Sequence, residues 1–278
     1  MAQGTTSVTT VTETQIDLAG LEAAINEAQQ PVLDAETIMV LQGATEMVLQ
    51  PAEEPAAPVD EKTGMSFAEI LDTITEEQSQ AQLHALQASF ATRAEFEHEK
   101  APGNDVIQRK LSSYLATLST PGVVKAQVAV GLDTNFANRS RSTGSRRNVY
   151  GIEKVARLLN LAVTGIHNNA FNKAILASMV ACEGKAALPF TSKVAQAAAS
   201  DKVAIDNSYK PFLVRHTVAE NTADTQSSST MTALEDLGVV VNTGTRGRPV
   251  YSFTQTPLAL RFKELGKLVL IAEGIETA

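Results

Sequence analysis

The sequence predicts a mainly α-helical protein with one small antiparallel β-hairpin near its C-terminus. Apolar residues recur at helical spacing in most segments between residues 66 and 270. Two short runs rich in β-branched and aromatic residues, Val239–Val241 and 250–254, flank a turn. Aromatic residues make up only 5% of the chain and Trp is absent, so the core depends on Ala, Val and Leu, which favours small helical packing units.

The N-terminal hundred residues are acidic and divide into an arm and a helix. Residues 1–63 are Thr-rich at the start and contain the linker Pro51–Pro58, which favours a largely disordered arm. Residues 64–100 are predicted to form one long helix with a capping box between Ser66 and Glu69. Two interpretations of this helix stay open: a surface helix on its own body, or a self-association helix.

Residues 101–147 are predicted to form a small helix-strand segment followed by a basic loop. The helix covers 105–118, and alternation of apolar residues predicts a strand over Val123–Val130. The loop then carries four arginines in nine residues with no acid, which suits phosphate contacts. These candidate nucleic-acid-binding residues are Arg139, Arg141, Arg146 and Arg147.

Residues 148–278 are predicted to form a C-terminal domain. Three helices over 150–166, 171–182 and 191–200 precede a helix that begins near Ser227, where serines can cap it, and ends at Gly238. A closing helix follows over 257–270. The stretch between 200 and 227 leaves two alternatives open: an insertion, or a helix over 216–223 before the turn.

The segment from Ser227 to Thr254 resembles the winged helix-turn-helix family of DNA-binding domains. The matching features are the passage Leu234-x-x-Leu237-Gly238-Val239-Val240 and the turn Arg246-Gly247-Arg248-Pro249 before Tyr251-x-Phe253-Thr254. The resemblance implies a recognition helix that enters the major groove and a wing that reaches a minor groove or phosphates. The residues it implicates are Thr225, Ser228, Ser229, Thr232, Arg246, Gly247 and Arg248.

Charge divides the chain and indicates the class of partner. Residues 1–100 contain eighteen acids against three Lys and Arg, a net of −15, whereas residues 101–278 carry a net of +7. An acidic arm beside a basic body favours a polyanion as partner, and the arm either competes for that body or recruits another protein. The outer face of the predicted recognition helix carries hydroxyls but no Arg or Lys, so we expect weak sequence specificity. We expect DNA rather than RNA, because no aromatic stacking platform is visible.

Several function classes lack support in the sequence. The single cysteine, Cys182, excludes an intramolecular disulfide and favours a cytoplasmic protein with a buried thiol. We expect neither a secretory signal nor a membrane-spanning helix, and the four histidines lack metal-ligand spacing. We therefore expect a non-enzymatic protein without cofactor or metal, forming homo-oligomers, if any, through the 66–100 helix or the C-terminal helix. The alternative function is a structural or adaptor protein that uses the module for protein contacts.

Overall fold

The computed structural model describes residues 64–139, 146–184, 188–245 and 247–275. All of these residues belong to one compact unit, Val59–Ala278. The predicted acidic arm, residues 1–63, lies outside the described residues, as do Arg141 and Arg246.

Helices dominate the described residues, as predicted, and a small antiparallel sheet accompanies them. In chain order the helices are α1 Phe67–Thr73, α2 Glu76–Lys100, α3 Asp105–Leu118, α4 Pro121–Ala129, α5 Val149–Thr164, α6 Ala170–Glu183, α7 Ser192–Ala199, α8 Glu220–Asp236 and α9 Pro257–Ala272. The strands are β1 Phe190–Thr191, β2 Val240–Asn242 and β3 Val250–Phe253, and two short 3₁₀ helices cover Thr134–Asn138 and Lys210–Phe212.

The predicted helix over residues 66–100 is two helices. The Ser66–Glu69 capping box is confirmed, with the Ser66 hydroxyl accepting from the Glu69 amide. However, Ile74 adopts an extended conformation that ends α1, and its side chain is buried. Thr75 then caps α2 through a second capping box, with Gln78. The apolar stripe continues across this break, which is why periodicity alone predicted a single helix.

The predicted strand over Val123–Val130 is wrong, because residues 123–129 belong to helix α4 and Val130 is its C-cap. Pro121 occupies the first turn of α4, where its missing N–H costs no hydrogen bond. Burial follows helical spacing, with Val123, Val124, Ala126 and Gln127 inside the protein. Helix α4 packs against both α2 and α5, so apolar residues occupy most of its circumference. Alternation within such a helix is a coincidence of composition.

The C-terminal part of the unit runs helix, strand, helix, helix, strand, strand and helix, from α6 to α9. The sheet order is β1-β3-β2, and both pairings are antiparallel. The predicted hairpin is confirmed, with Val240 opposite Phe253 and Asn242 opposite Tyr251. Its first strand is displaced by one residue from the predicted Val239–Val241.

Helix α8 begins at Glu220, seven residues before the predicted start at Ser227. Ser227 is not a cap: it lies inside the helix, is buried, and its hydroxyl donates to the Asp224 carbonyl. The open question about residues 200–227 is thereby resolved. Residues 220–223 are the first turn of α8 itself, so α7 is the preceding helix and residues 200–219 connect the two. The predicted end is correct, since Gly238 adopts a positive φ of 64° just after the helix.

The close packing of α9 on α6 depends on Gly266. A Cβ atom at position 266 would lie 2.7 Å from Cγ2 of Val180, which faces it from α6. We therefore expect Gly266→Val to lower the free energy of unfolding by about 2 to 3 kcal/mol through overpacking. Urea denaturation measures this change, and Gly266→Val combined with Val180→Ala is expected to recover part of it. Full stability of the single variant would contradict this contact.

Candidate nucleic-acid interface

Helix α8 presents a polar strip that narrows towards its C-terminal end. The strip contains Asn221, Thr225 and Ser228, which are exposed, then Ser229 and Thr232, which are half-buried. The opposite side packs on α5, α6 and α7. Within that packed side Thr230 is fully buried and donates a hydrogen bond of 3.0 Å to Oδ1 of Asn172. The two N-terminal turns of α8 are therefore the part of the predicted recognition helix open to a ligand.

The charge on α8 is negative. The helix contains Glu220, Asp224, Glu235 and Asp236 and no Lys or Arg. Asp224 accepts a 2.6 Å hydrogen bond from Gln196 of α7, and Asp236 pairs with arginines of the basic loop. Glu235 stays exposed, and partial desolvation raises the pKa of its carboxyl above the usual value. Phosphates approaching α8 thus meet the hydroxyls and amide of its first turns together with the exposed acids Glu220 and Asp224, and meet two further acids at its end.

Both ends of the basic loop are tied to one buried side chain, Arg93 of α2. Arg93 is 2% exposed and pairs with Glu97 one turn later, with 2.7 Å between Nη2 and Oε1. Its Nη1 donates to the carbonyl of Ala137, and its Nη2 donates to the carbonyl of Arg147 at 2.7 Å. The amide of Arg147 also donates to the carbonyl of Arg139 at 3.0 Å. The loop therefore leaves and re-enters the fold at one fixed point.

Asp236, at the end of α8, holds two of the predicted site arginines. Arg147 is 6% exposed, pairs with Asp236, and lies beside Gly151, which has no side chain to occupy that space. Arg139 is largely exposed and pairs with Asp236 at 3.5 Å and with Asp133 at 3.2 Å. Burial gives Arg147 a structural role that its sequence neighbours did not indicate. Arg139 keeps an accessible guanidinium beside the polar strip.

Arg146 and Arg248 occupy different environments. Arg146 is half-buried, stacks 3.8 Å from the centre of the Phe96 ring and donates to Oδ1 of Asn138. Arg248 is exposed near the tip of the hairpin, where it forms an isolated β-bridge with Thr245. Gly247, between Arg246 and Arg248, has a positive φ of 83° that glycine adopts without strain. The hairpin thus presents Arg248 to solvent at its turn.

The predicted site residues form three clusters: the arginines of the basic loop, the polar strip of α8 and the arginines of the hairpin turn. The structure brings the first two together. The loop arginines Arg139 and Arg147 meet the C-terminal end of the α8 strip at Asp236, four residues after Thr232. Sequence reasoning missed Asn221, because the helix start was placed at Ser227. It also missed Asp236 as the partner of the loop. A signal for Asn221 existed in residues 216–223, which were considered as a separate helix.

The remaining candidate chemistry is limited in the described part of the chain. No group of three or more His, Cys, Asp and Glu side chains there could hold a metal ion. Cys182 is buried, as predicted, and burial raises the pKa of its thiol to about 12, so the thiolate is scarce at neutral pH. Among the same residues, none of the helices combines the length and apolarity needed to span a bilayer.

Comparison with known proteins identifies no relative: neither a protein-family model, nor a curated protein, nor a solved structure matches this chain.

Proposed function

We propose that this chain binds double-stranded DNA through a winged-helix module formed by residues 170–272. The observation that carries the proposal is the hairpin β2–β3, which follows α8 directly and joins β1 in the order β1-β3-β2. This order supports the interpretation of α8 as a recognition helix and of residues 243–249 as a wing. The exposed polar start of α8 supports it further, since recognition helices contact bases with their N-terminal residues.

In this mechanism the start of α8 enters the major groove. Asn221, Thr225 and Ser228 offer an amide and two hydroxyls, which can donate to or accept from base edges and phosphates. Ser229 and Thr232 are half-buried in the protein and lie along the same strip, so they contribute less to the contact with DNA. Because none of these groups forms the bidentate arginine contact to guanine, the proposed binding is weakly sequence-specific.

Arginines supply the salt-sensitive part of the proposed affinity. Arg248 reaches a phosphate or the minor groove from the hairpin turn, and Arg246 is included on its sequence position alone. Arg139 adds a contact to the DNA backbone beside α8, and its ion pairs with Asp133 and Asp236 weaken this contact. Arg147 is excluded from the contact set because it is buried, whereas Arg141 is retained on its sequence position alone.

The test is the affinity of Arg248→Ala for a duplex. We expect its dissociation constant at low salt to rise about tenfold, and the slope of log affinity against log salt to fall by about one, since one phosphate contact is lost. Fluorescence anisotropy with a labelled random-sequence duplex, repeated over a salt series, measures both quantities. The matched control is Arg109→Ala, an exposed arginine of α3 far along the chain from the hairpin. An Arg248→Ala affinity equal to the control would remove the wing from the mechanism.

A second candidate function is a protein-binding winged-helix module, and the negative charge of α8 favours it. Four acids and no base along seventeen residues oppose close approach to phosphates. Under this alternative the wild type, Arg109→Ala and Arg248→Ala all bind the duplex equally weakly, with the same dissociation constant. The same anisotropy series therefore separates the two functions.

A further inference from the structure

The outer face of helix α9 is apolar at its two ends and charged in its middle. Its exposed residues before the C-terminal Ala272 are spaced as one helical stripe: Leu260, Glu264, Lys267, Leu268 and Ile271. The exposed fractions of the three apolar side chains are 44% for Leu260, 60% for Leu268 and 64% for Ile271. The other face of α9 is packed on α6, so this stripe is the side of the helix available to a partner.

We propose that a second copy of this chain covers the stripe, with the two α9 helices antiparallel about a twofold axis near residues 265 and 266. In this register Leu260 lies opposite Ile271 of the second copy, and Glu264 lies opposite Lys267. Twofold symmetry repeats each pair, so the dimer contains two apolar pairs and two ion pairs. Four of the five stripe positions thus face a matching side chain of the second copy, an apolar residue facing an apolar one and an acid facing a base, which favours a second copy as the occupant.

The spacing keeps all four pairs near the axis. At 1.5 Å per residue, Glu264 and Lys267 lie about 2 Å from the axis along the helix, and Leu260 and Ile271 lie about 8 Å from it. Helices that cross at common packing angles stay in contact over this distance. The central ion pairs fix the antiparallel direction, because a parallel arrangement in the same register would place like charges together.

Neighbouring elements enlarge the surface on the side of α9 that carries Arg261. Ile166, 66% exposed, follows Gly165, which packs against Arg261 and Leu265 of α9. On the same side, Leu260, Arg261 and Glu264 line a cavity of about 990 Å³ together with residues 64–71 and with Ala162 and Val163 of α5. The Ile271 side chain of the second copy would lie at the edge of this cavity. We expect an interface of about 1,000 to 1,200 Å², a size typical of weak and transient complexes, and therefore a micromolar dimer.

The structure favours α9 over the 66–100 region for this contact. The exposed positions of α2 are charged or polar side chains and alanines, and its apolar residues Leu86 and Phe90 are buried. Within the described residues, no large apolar side chain of α2 is exposed, whereas three are exposed on α9. Of the two oligomerisation helices that the sequence suggested, only α9 retains an unpartnered apolar face.

Charge reversal in the full-length chain tests the register. Sedimentation velocity over a concentration series is expected to give a monomer–dimer equilibrium for the wild type. E264K and K267E alone should each raise the dimer dissociation constant at least about tenfold, since symmetry creates two like-charge pairs. The combined E264K/K267E variant should restore the wild-type constant to within about threefold. The intrahelical pair Arg261–Glu264 is lost in E264K and in the double variant but kept in K267E, so its loss cannot produce the recovery.

Apolar substitution supplies an independent arm. Ile271→Ser should weaken the dimer at least about tenfold, whereas Val106→Ser, at a 52% exposed apolar residue of α3, should leave it unchanged. Because both residues are exposed, each variant is expected to retain the wild-type circular dichroism melt. A wild-type chain that stays monomeric at sub-millimolar concentration would overturn the proposal. Failure of E264K/K267E to restore association would overturn it equally. Neither result depends on DNA binding.

Discussion

Replacing Arg93 with methionine is expected to lower the free energy of unfolding by about 3 to 5 kcal/mol, the largest loss for any single substitution proposed for this protein. Arg93 is 2% exposed and neutralises Glu97, whose side chain is also buried. It further donates to the carbonyls of Ala137 and Arg147. Methionine fills the space but leaves a buried carboxylate without its cation and two carbonyls without this donor.

Urea denaturation followed by circular dichroism measures this loss. The matched control is Arg109→Met, which removes an exposed arginine and should change stability by less than about 0.5 kcal/mol. Adding Glu97→Leu to Arg93→Met should recover part of the loss, because no uncompensated charge then remains buried. If Arg93→Met were as stable as the control, the basic loop would not depend on this anchor.

Replacing Lys154 with methionine is expected to have the opposite sign and raise the free energy of unfolding at pH 7 by about 2 kcal/mol. Lys154 is 1% exposed, and burial is the main cause that lowers its pKa from 10.5 to about 8. Its Nζ donates to Oδ1 of Asn169 at 3.1 Å and lies 5.1 Å from the centre of the Phe171 ring. At pH 7 the folded protein therefore keeps a cation in a site that favours the neutral amine.

This substitution also changes how stability depends on pH. The unfolded chain holds the Lys154 proton up to pH 10.5, whereas the folded chain releases it near pH 8. Between these values the unfolded state binds more protons, so the contribution of Lys154 to stability increases with pH, by about 3 kcal/mol in total. Lys154→Met should lack this increase. The comparison is with Lys202→Met, an exposed lysine whose loss should preserve the wild-type profile.

Guanidinium denaturation of the three proteins at pH 7, 8.5 and 10 measures the difference, because the denaturant keeps ionic strength high. The wild type and Lys154→Met are expected to converge as the pH rises. Parallel curves, or a Lys154→Met variant that is less stable at pH 7, would mean that the hydrogen bond to Asn169 outweighs the desolvation of the ammonium group.

The helices that could be predicted from sequence are those with one buried face. Helix α5 buries residues at helical spacing, including Ile152, Val155 and Leu159, and ends at Gly165, which has a positive φ of 71°. The hairpin could also be predicted from sequence, because two apolar runs, which pair at Val240 and Phe253, flank a turn that contains glycine. Local periodicity and turn chemistry are properties of neighbouring residues, so they can be recognised without tertiary contacts.

The candidate site was predictable in part. Ser228 is exposed on α8 and Arg248 is exposed in the hairpin turn, as the sequence suggested, whereas the predicted Ser229 and Thr232 are half-buried. The buried position of Arg147 was not predictable, because it depends on Asp236, which is distant in sequence, and on the space beside Gly151. Sequence charge counts treat all four loop arginines alike, whereas ion pairs formed in the fold distinguish them.

The sequence by itself determined a mostly helical chain, the end of α8 at Gly238 and the arginine-bearing turn between two strands. Only the tertiary structure decided that residues 123–129 are helical, because a helix buried on several sides has apolar residues at every spacing. It also decided which basic side chains face solvent, since Arg93 and Lys154 are carried inside by helices whose neighbours come from distant segments. Burial of a charge is a property of the assembled fold, so no local sequence feature specifies it.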